Sequence, residues 1–523
     1  SSLRNGQESS IGCRIGTYLT VMKCECCVMP NKISVNIDRE SEEPIYRQLI
    51  RQLQLQIESG ELPPGTRLPA SRSLANRMDV SRISVVNAYS ELRTQGYLSA
   101  HAGRGTFVSR DFNPGGNGTA GDADTTSRSL PDHSLRDLMR MSQRPGVINF
   151  SHGTPPPEFF PVSALKDAIN AVLERDGAYA LTYEVAEGYE PLRAAVRDYV
   201  SAHGIQTRVE NVLITGGAQQ AIDLVVQALV AEGETIVTSN PTYVGVLDTA
   251  RTRRVHVHGI PMDEHGIRLD CLESYLMENT PRLIYVVPSF QNPTGQVMPL
   301  HRRRQLLNLA QEYGVLIVED SVYHEFRFEG ESLPPLKALD EANTVIHISA
   351  FTKMLLPGMR IGYLIASGKT HERLVRVKQA ADISTSGLNQ RTIHLMLQRG
   401  ILAQQLSRNN RELRRRRDAA LAAADRYFPP ETQWTVPQGG LYLWVTLPNT
   451  GPTAAELYIA AVQNGVAFAI GNIFYLDHGG SFNMRLNYGL QTPERITEGF
   501  RRLGQAWENL AADYDEFESP PLM

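Results

Sequence analysis

The chain has 523 residues, of which 42% are hydrophobic and 21% are charged, and its formal net charge is −4 at pH 7. This length predicts two or three domains, and the composition is that of a globular protein. The small negative charge excludes polyanion binding by the chain as a whole, and because no apolar run of about 18 residues occurs, no membrane span is expected.

The amino-terminal segment stands apart by its cysteines. One interpretation of its CECC cluster is a metal or redox site, but the spacing matches no zinc pattern and no histidine stands near, so no metal is predicted. The other interpretation is that residues 1–29 are a poorly ordered extension, or lie upstream of the true start. Lys23 and Glu25 interrupt any apolar core, so no secretory signal is expected, and the reducing cytoplasm is the predicted location. The five cysteines are Cys13, Cys24, Cys26, Cys27 and Cys271.

The pattern over residues 30–109 predicts a winged helix-turn-helix, which is mainly α-helical. Pro44–Ile57 has apolar residues at helical spacing, and Ser71 is a suitable cap for a second, short helix. Ser81–Gln95 is expected to be the recognition helix, and Leu98–Val108 a two-stranded wing.

The same stretch is locally basic and carries three specific motifs. Between Arg67 and Arg104, six arginines stand against two acidic residues, a net charge of +4 that favours nucleic acid. LPASRSLA, the VSRxxVxxAYxxL pattern and the GRGTFV turn resemble the winged helix-turn-helix of GntR-type transcription regulators over nearly its whole length. The resemblance implies contacts to double-stranded DNA, although a solvated surface charge is the alternative for any one arginine. The implied contact residues are Arg72, Ser81, Arg82, Ser84 and Arg104.

A compositional break follows the predicted wing. Arg110–Asp132 contains four glycines, two prolines and many small polar residues without apolar periodicity. This composition predicts a flexible linker over residues 110–133. The remaining residues, 134–523, form the last predicted domain.

Short Val- and Ile-rich runs alternate with amphipathic stretches from residue 134 onward. This alternation predicts an α/β domain with a doubly wound, mostly parallel sheet, in which chemistry collects at the carboxyl ends of the strands. The predicted buried strands are 212–215, 235–239, 283–288, 315–320, 345–349 and 362–367, and two of the predicted helices are 218–233 and 301–314.

Three polar clusters fall at the ends of predicted strands. Lys353 lies in SAFTKMLLPGMRIGY, Asp320 in VEDSVYHEF and Asn292 in VPSFQNPTG. A lysine that forms a Schiff base with pyridoxal phosphate requires an acidic residue at the pyridine nitrogen, an arginine at the phosphate and a small-residue turn. Asp320, Arg360 and the turn after Asn292 supply these groups. In addition, GGAQQA opens a predicted helix at Ala218, whose backbone N–H groups suit an anion.

From about Val147 to Trp507 the chain resembles fold-type I aminotransferases, which have a smaller C-terminal α+β subdomain. With its GntR-like head it resembles the MocR subfamily of regulators. The resemblance implies a homodimer with shared pyridoxal-phosphate sites, in which Lys353 forms the internal aldimine and Asp320 and Tyr323 assist as catalytic groups. The other implied cofactor contacts are Asn292, Tyr243, Ala218, Gln219, Arg360 and Thr352, with Tyr183 reaching the neighbouring subunit's phosphate and Arg485 binding the carboxylate of a substrate or effector.

Two features need separate interpretation. Many members of the family carry Ser or Thr three residues before the lysine, whereas this chain has Ala350, so one phosphate hydrogen bond is expected to be missing or to come from Ser349. The basic run Leu413–Arg417 is expected to be a solvated helix face, and a second DNA-binding patch is the alternative.

The combination predicts a transcription regulator that senses an amino compound, or pyridoxal phosphate itself, through an aldimine at Lys353. Two heads per dimer predict an operator with two half-sites. The alternative is an active aminotransferase that carries a DNA-binding head, because the groups for transamination are present. A regulator is expected to have no transaminase activity or only a residual one.

Overall fold

The computed structural model describes residues 35–38, 45–63, 65–78, 80–94, 97–101, 105–109, 146–477 and 479–518. These residues form two compact units, one ending at residue 109 and the other beginning at residue 146. The predicted extension at 1–29 and the predicted linker at 110–133 lie outside the described residues.

The first unit is a three-helix head with a small hairpin, as the sequence predicts. Leu49, Leu53 and Ile57 recur at helical spacing on the first helix, and all three are buried in the core of this unit. The two strands pair antiparallel, with Leu98 opposite Val108, and form the wing. The elements are α1 (Ile45–Glu58), α2 (Ser71–Met78), α3 (Arg82–Thr94), β1 (Leu98–His101) and β2 (Gly105–Val108).

The second unit is built on an eight-stranded sheet. Its helices are α4 (Val162–Asp176), α5 (Glu190–Ser201), α6 (Ala218–Leu229), α7 (Val244–Thr252), α8 (Leu269–Glu278), α9 (Leu300–Glu312), α10 (Leu336–Leu339), α11 (Phe351–Met354), α12 (Gly368–Asp382), α13 (Gly387–Gln398), α14 (Ile401–Tyr427), α15 (Ala454–Gln463) and α16 (Pro493–Glu518). Its strands are β3 (Ile148–Asn149), β4 (Val212–Thr215), β5 (Thr235–Asn240), β6 (His256–Asp263), β7 (Gly266–Ile267), β8 (Leu283–Val286), β9 (Leu316–Asp320), β10 (Val345–Ala350), β11 (Gly362–Ile365), β12 (Gln433–Trp434), β13 (Tyr442–Thr446), β14 (Val466–Ala467), β15 (Ala469–Ile470) and β16 (Asn483–Asn487).

The large sheet has the strand order β4-β11-β10-β9-β8-β5-β6-β7. The five strands from β10 to β6 run parallel, and β11 is antiparallel to both of its neighbours. β8 and β10 are buried along their whole length, which is typical of parallel strands covered on both faces. The doubly wound, mostly parallel sheet predicted from the alternating pattern is therefore confirmed. Because β8, β9 and β10 are neighbours, their carboxyl ends bring Asn292, Asp320 and Lys353 to one edge.

A smaller α+β layer follows in the chain. Its four-stranded antiparallel sheet has the order β12-β13-β16-β15, and Trp444 of β13 lies opposite Arg485 of β16. β3 pairs parallel with β14 in a separate two-stranded sheet. None of the helices in the described ranges combines the length and the apolarity needed to span a bilayer.

The predicted solvated face at Leu413–Arg417 is wrong for two of its arginines. Arg416 and Arg417 are each only 3% exposed, on the inner side of α14. Arg416 donates 2.7 Å to the carbonyl oxygen of Gly489, and Arg417 donates 2.7 Å to the Glu329 carboxylate. Leu413, Arg416 and Arg417 have the i, i+3, i+4 spacing of one buried helix face, and the run of four consecutive arginines conceals this spacing in the sequence.

Candidate functional site

Lys353 lies in α11, directly after the carboxyl end of β10, and is half-buried. Its Nζ donates a hydrogen bond of 2.5 Å to the carbonyl oxygen of Gly153. Burial lowers the pKa of this amine to about 8; the charges of Arg485 and Arg360 also lower it, and Asp320 opposes them. A larger share of the amine is therefore neutral near pH 8 than in an ordinary lysine, which makes it a nucleophile toward an aldehyde.

Asp320 ends β9 and is buried. The hydroxyl of Tyr285 donates a hydrogen bond of 2.8 Å to Oδ2 of Asp320, and the backbone N–H of Val322 donates one of 3.2 Å to Oδ1. Burial raises the pKa of Asp320, and these hydrogen bonds act against that rise. A pyridinium N–H⁺ is the kind of partner that stabilises such a carboxylate. Sequence reasoning missed Tyr285, whose only signal is a hydroxyl inside a buried strand.

Asn292, Tyr323 and Tyr442 form a chain of hydrogen bonds. The amide Nδ2 of Asn292 donates 3.4 Å to the hydroxyl of Tyr323, and that hydroxyl lies 2.8 Å from the hydroxyl of Tyr442. Tyr442 was not predicted. It follows the glycine pair in QGGLYLW, which is the only signal that a close approach occurs there.

Arg485 lies on β16 and is buried. Its guanidinium donates a hydrogen bond of 2.7 Å to Oδ1 of Asn292 and one of 2.6 Å to the carbonyl oxygen of Ser151. The ring centroids of Tyr442 and Phe474 lie 4.3 Å and 4.9 Å from the guanidinium carbon. Nε has no hydrogen-bond partner among the described residues, so this buried cation retains a donor for an anionic ligand.

An anion-binding corner forms where α6 begins. Ala218 and Gln219 are its first two residues, so their backbone N–H groups have no partner within the helix. Gly217 precedes them at φ +106°, and a Cβ there would lie 2.9 Å from a terminal nitrogen of Arg360. Only glycine lets the guanidinium come this close to the helix start, and the two together suit a phosphate.

Tyr243 borders the site and is fixed by the side chain of Gln219. Its hydroxyl donates 3.1 Å to Gln219 Oε1, while Gln219 Nε2 donates 3.0 Å to the carbonyl oxygen of Gly245. Burial raises the pKa of Tyr243 to about 12, and the nearby charge of Asp320 adds to the rise. The ring is thus held near the Asp320 carboxylate.

The residues before Lys353 bear on the phosphate hydrogen bond that is expected to be missing at Ala350 or to come from Ser349. Thr352 is buried beside Lys353. The hydroxyl of Ser349 lies 3.5 Å from the carbonyl oxygen of Ser321 and also hydrogen-bonds Tyr363. These contacts occupy Ser349 on the face of β10 opposite to Ala350, which argues against Ser349 as the substitute phosphate ligand.

Tyr183 stands away from these groups in the single chain and is 81% exposed. Its neighbours Tyr179, Leu181 and Val185 are also largely exposed. The segment is nevertheless anchored, because Glu184 accepts a 2.7 Å hydrogen bond from Arg391. The structure therefore gathers the other predicted cofactor residues but leaves Tyr183 on an apolar surface.

The groups that meet here fit pyridoxal phosphate. Lys353 supplies an amine with a lowered pKa, Asp320 a buried carboxylate, and the corner at Gly217 a close-fitting anion cradle. Such a set matches the aldehyde, the pyridine nitrogen and the phosphate of that cofactor in turn.

In the head, Arg72 lies in α2 and Arg82 begins α3. Ser81 directly precedes α3 and Ser84 lies in its first turn. The side chains of Arg72 and Arg82, and the whole of Arg104, lie outside the described residues. The described backbone nonetheless brings the starts of α2 and α3 into one helix-turn-helix.

Comparisons with known proteins match both units. Residues 145–503 match the family "Aminotransferase class I and II", and residues 45–108 match "Bacterial regulatory proteins, gntR family". The 2-aminoadipate transaminase of Thermus thermophilus is 39% identical over 382 residues, which are 72% of this chain and 94% of that protein. The crystal structure of LysN, an α-aminoadipate aminotransferase from Thermus thermophilus complexed with N-(5'-phosphopyridoxyl)-L-leucine, has a TM-score of 0.68 and 38% identity, and covers 72% of this chain and 95% of its own.

A regulator matches nearly the whole chain. The protein named "Probable rhizopine catabolism regulatory protein MocR", from Rhizobium meliloti, is 28% identical over 90% of this chain and 95% of its own length. The order of units is thus that of a regulator, and the second unit is that of an enzyme that uses pyridoxal phosphate. The chain belongs to the MocR subfamily of GntR-type transcription regulators, in which a DNA-binding head is fused to a pyridoxal-phosphate-dependent aminotransferase domain.

Proposed function

We propose that this regulator holds pyridoxal phosphate at Lys353 and senses an amino compound at the same place. The observation that supports this most is the amine of Lys353, whose pKa burial lowers to about 8, within reach of the charges of Asp320 and Arg485. Bound pyridoxal phosphate supplies an electrophilic carbon at which one amine can replace another. An arriving amino compound would release the Lys353 amine, and that exchange is the proposed signal.

The protein's own groups then have separate tasks. Asp320 would hold a proton on the pyridine nitrogen of the bound cofactor, because a buried carboxylate prefers a cationic partner. Tyr323 and Asn292 would bind the phenolic oxygen of the cofactor, and Tyr243 would stack on its ring. The proposed phosphate ligands are the N–H groups of Ala218 and Gln219, the guanidinium of Arg360 and the hydroxyl of Thr352.

The proposed effector is an amino compound that carries a carboxylate. Arg485 is the proposed ligand, because a guanidinium fork suits a carboxylate and its Nε lacks a partner among the described residues. The transaminase named for 2-aminoadipate, an amino acid, is 39% identical and supports this class. The second candidate signal is pyridoxal phosphate itself.

We further propose that two copies share their sites in a homodimer. The exposed side chains of Tyr179, Leu181 and Val185 form an apolar surface around Tyr183. Burying this surface against a second copy would carry the Tyr183 hydroxyl to the partner's phosphate. Such a dimer has two DNA-binding heads, each formed by residues 30–109. The linker joins each head to a sensing domain formed by residues 134–523.

Two heads imply an operator with two half-sites, which a regulator meets on chromosomal DNA in the cytoplasm. The proposed contacts to DNA are Arg72, Ser81, Arg82, Ser84 and Arg104.

Replacing Arg82 and Arg104 together by alanine should weaken operator binding by about tenfold or more and reduce its salt dependence. Gel-shift titration at several salt concentrations measures both quantities, and unchanged affinity would refute the assignment.

The effector experiment is a titration of the visible absorption band of the holo-protein with amino acids, ω-amino acids and taurine, in parallel with operator binding. We expect one compound to shift the band stably and to change operator affinity. Lys353→Ala should abolish both responses and spare basal DNA binding, whereas Lys369→Ala, an exposed lysine on α12, should behave as wild type. A band that ignores every compound would favour pyridoxal phosphate as the signal.

An active aminotransferase is the second candidate, favoured by the identity to a named transaminase. It predicts that the band is bleached by an amino acid and restored by a 2-oxo acid. Sustained conversion of the pair over many turnovers would replace sensing by catalysis as the main function.

A further inference from the structure

The hydroxyl of Tyr442 has no part in the roles proposed so far. Tyr442 begins β13 and is 1% exposed, and its hydroxyl lies 2.8 Å from that of Tyr323. The two rings meet edge to face, with centroids 5.5 Å apart. Burial raises the pKa of Tyr323 well above its usual value, so Tyr323 keeps its proton at neutral pH.

The direction of the neighbouring hydrogen bond is set by Arg485. Arg485 can only donate, and it donates 2.7 Å to Oδ1 of Asn292. The other end of that amide, Nδ2, therefore faces Tyr323 and donates to its oxygen at 3.4 Å. One of the two lone pairs of the Tyr323 oxygen is thus filled.

The position of Tyr442 is also closely defined. Its ring packs against the guanidinium of Arg485 at 4.3 Å. A Cβ on Gly153 would lie only 2.7 Å from its hydroxyl and 4.0 Å from Nζ of Lys353. The Tyr442 hydroxyl is therefore confined between Tyr323 and the backbone that contacts the lysine.

We propose that Tyr442 is a positioning residue: its hydroxyl donates to the second lone pair of Tyr323 and so directs the single Tyr323 proton toward the phenolic oxygen of pyridoxal phosphate. With Asn292 and Tyr442 both donating, Tyr323 has no remaining role except that of a donor. This inference rests on the proposed cofactor contact of Tyr323. It adds Tyr442, which lies 119 positions from Tyr323 in the chain and would act on the cofactor through the Tyr323 hydroxyl.

The effect of the Tyr442 hydroxyl is measurable as a change in the pH midpoint at which the visible absorption band of the bound cofactor changes. A hydroxyl that accepts two hydrogen bonds is a stronger donor. A donor at the phenolic oxygen stabilises the bound cofactor after it loses its proton, and so lowers the pH at which the visible band changes. Removing the Tyr442 hydroxyl should raise this midpoint by roughly half a pH unit. The shift is small because Tyr442 acts indirectly, so that only part of the free energy of one hydrogen bond reaches the cofactor.

The test is a pH titration of the visible band in full-length holo-protein. Tyr442→Phe should raise the midpoint by about half a unit when Tyr323 is present. In the Tyr323→Phe background the same change should have no effect, because Tyr442 acts only through that hydroxyl. A general disturbance of packing would not produce this dependence.

A matched control and a second route strengthen the test. Tyr488 is also buried, and its hydroxyl donates 2.9 Å to the carbonyl oxygens of Gly439 and Gly440, just before Tyr442. Tyr488→Phe should leave the midpoint unchanged. Gly153→Ala displaces the Tyr442 hydroxyl without deleting it, and should raise the midpoint as Tyr442→Phe does.

The outcomes separate the two proposals. A protein without a visible band refutes the cofactor role of Lys353 and this inference with it. A normal band whose midpoint is the same in wild type and Tyr442→Phe refutes only the role of Tyr442. An equal shift in both Tyr323 backgrounds, or an equal shift in Tyr488→Phe, also overturns it.

Discussion

At the scale of single residues, the site depends on charges whose protonation burial controls. The amine of Lys353 has its pKa lowered to about 8, and the carboxyl of Asp320 has its pKa raised. The two shifts have the same main cause, since burial disfavours each charged form. Each can therefore be tested through the ligand that it is proposed to bind.

Uptake of pyridoxal phosphate by the cofactor-free protein should follow the pKa of Lys353. A lysine pKa of about 8 means that half of the amine is neutral at that pH and that the neutral form is lost as the pH falls further. The rate of appearance of the visible band should rise by about tenfold per pH unit below pH 8 and level off above it. Stopped-flow mixing measures this rate. A rise that continues to pH 10 would mean an ordinary lysine.

Tyr285→Phe should weaken cofactor binding. It removes the 2.8 Å hydrogen bond to Asp320 and leaves the buried carboxylate harder to ionise. A hydrogen bond to a charged group contributes about 1.5–3 kcal/mol, so the dissociation constant of pyridoxal phosphate should rise by roughly tenfold or more. Fluorescence titration provides the measurement, and Tyr363→Phe, a buried tyrosine of the same sheet whose hydroxyl contacts Ser349, is the control. Equal effects of the two changes would contradict the role of Tyr285.

At the scale of elements, α14 is held by arginines that its sequence suggests are surface charges. Arg417 donates 2.7 Å to the Glu329 carboxylate and 2.6 Å to the carbonyl oxygen of Pro437, which lies in the loop leading to β13. The helix thereby braces the strand that carries Tyr442.

Arg417→Ala should lower the free energy of unfolding of this unit by about 2 kcal/mol, because it leaves the buried carbonyl oxygen of Pro437 without its hydrogen-bond donor. Arg415 in the same run is exposed and forms a surface ion pair with Glu412, so Arg415→Ala should cost less than about 1 kcal/mol. Urea unfolding followed by tryptophan fluorescence compares them. Similar losses would show that the burial of Arg417 contributes nothing.

At the scale of the whole molecule, the surface around Tyr183 is the proposed contact between two copies. Leu181 is 68% exposed, and Arg391 anchors its segment through Glu184. An apolar surface on an anchored segment favours association with a preformed partner.

Leu181→Asp should separate the dimer. Placing an unpaired carboxylate in a buried interface costs several kcal/mol, so the dissociation constant should rise by about a hundredfold or more. Sedimentation velocity measures the assembly, and Met277→Asp, at a side chain 67% exposed on α8, is the matched control. If Tyr183 binds the partner's phosphate, the Leu181→Asp protein should lose cofactor affinity together with its dimer. A Leu181→Asp protein that remains a dimer would exclude this surface.

The sequence by itself determined the two-unit plan, the parallel sheet and most of the proposed cofactor residues. Each depends on local order: apolar periodicity specifies a strand or a helix, and Asn292, Asp320 and Lys353 each stand at or just after a strand end. Parallel neighbours bring such ends together whatever the intervening segments are. The head could be predicted for the same reason, since its helices, turn and wing follow one another within one short stretch of the chain.

Only the tertiary structure decided which groups support those residues. Tyr285, Gly153 and Tyr442 reach the site from separate strands and loops, and their local patterns, such as the glycine pair before Tyr442, do not show which groups they contact. The same limit applies to Arg417, whose partner Glu329 lies 88 residues away. A side chain's hydrogen-bond partners depend on which surfaces pack together, and packing couples positions that are distant in the chain.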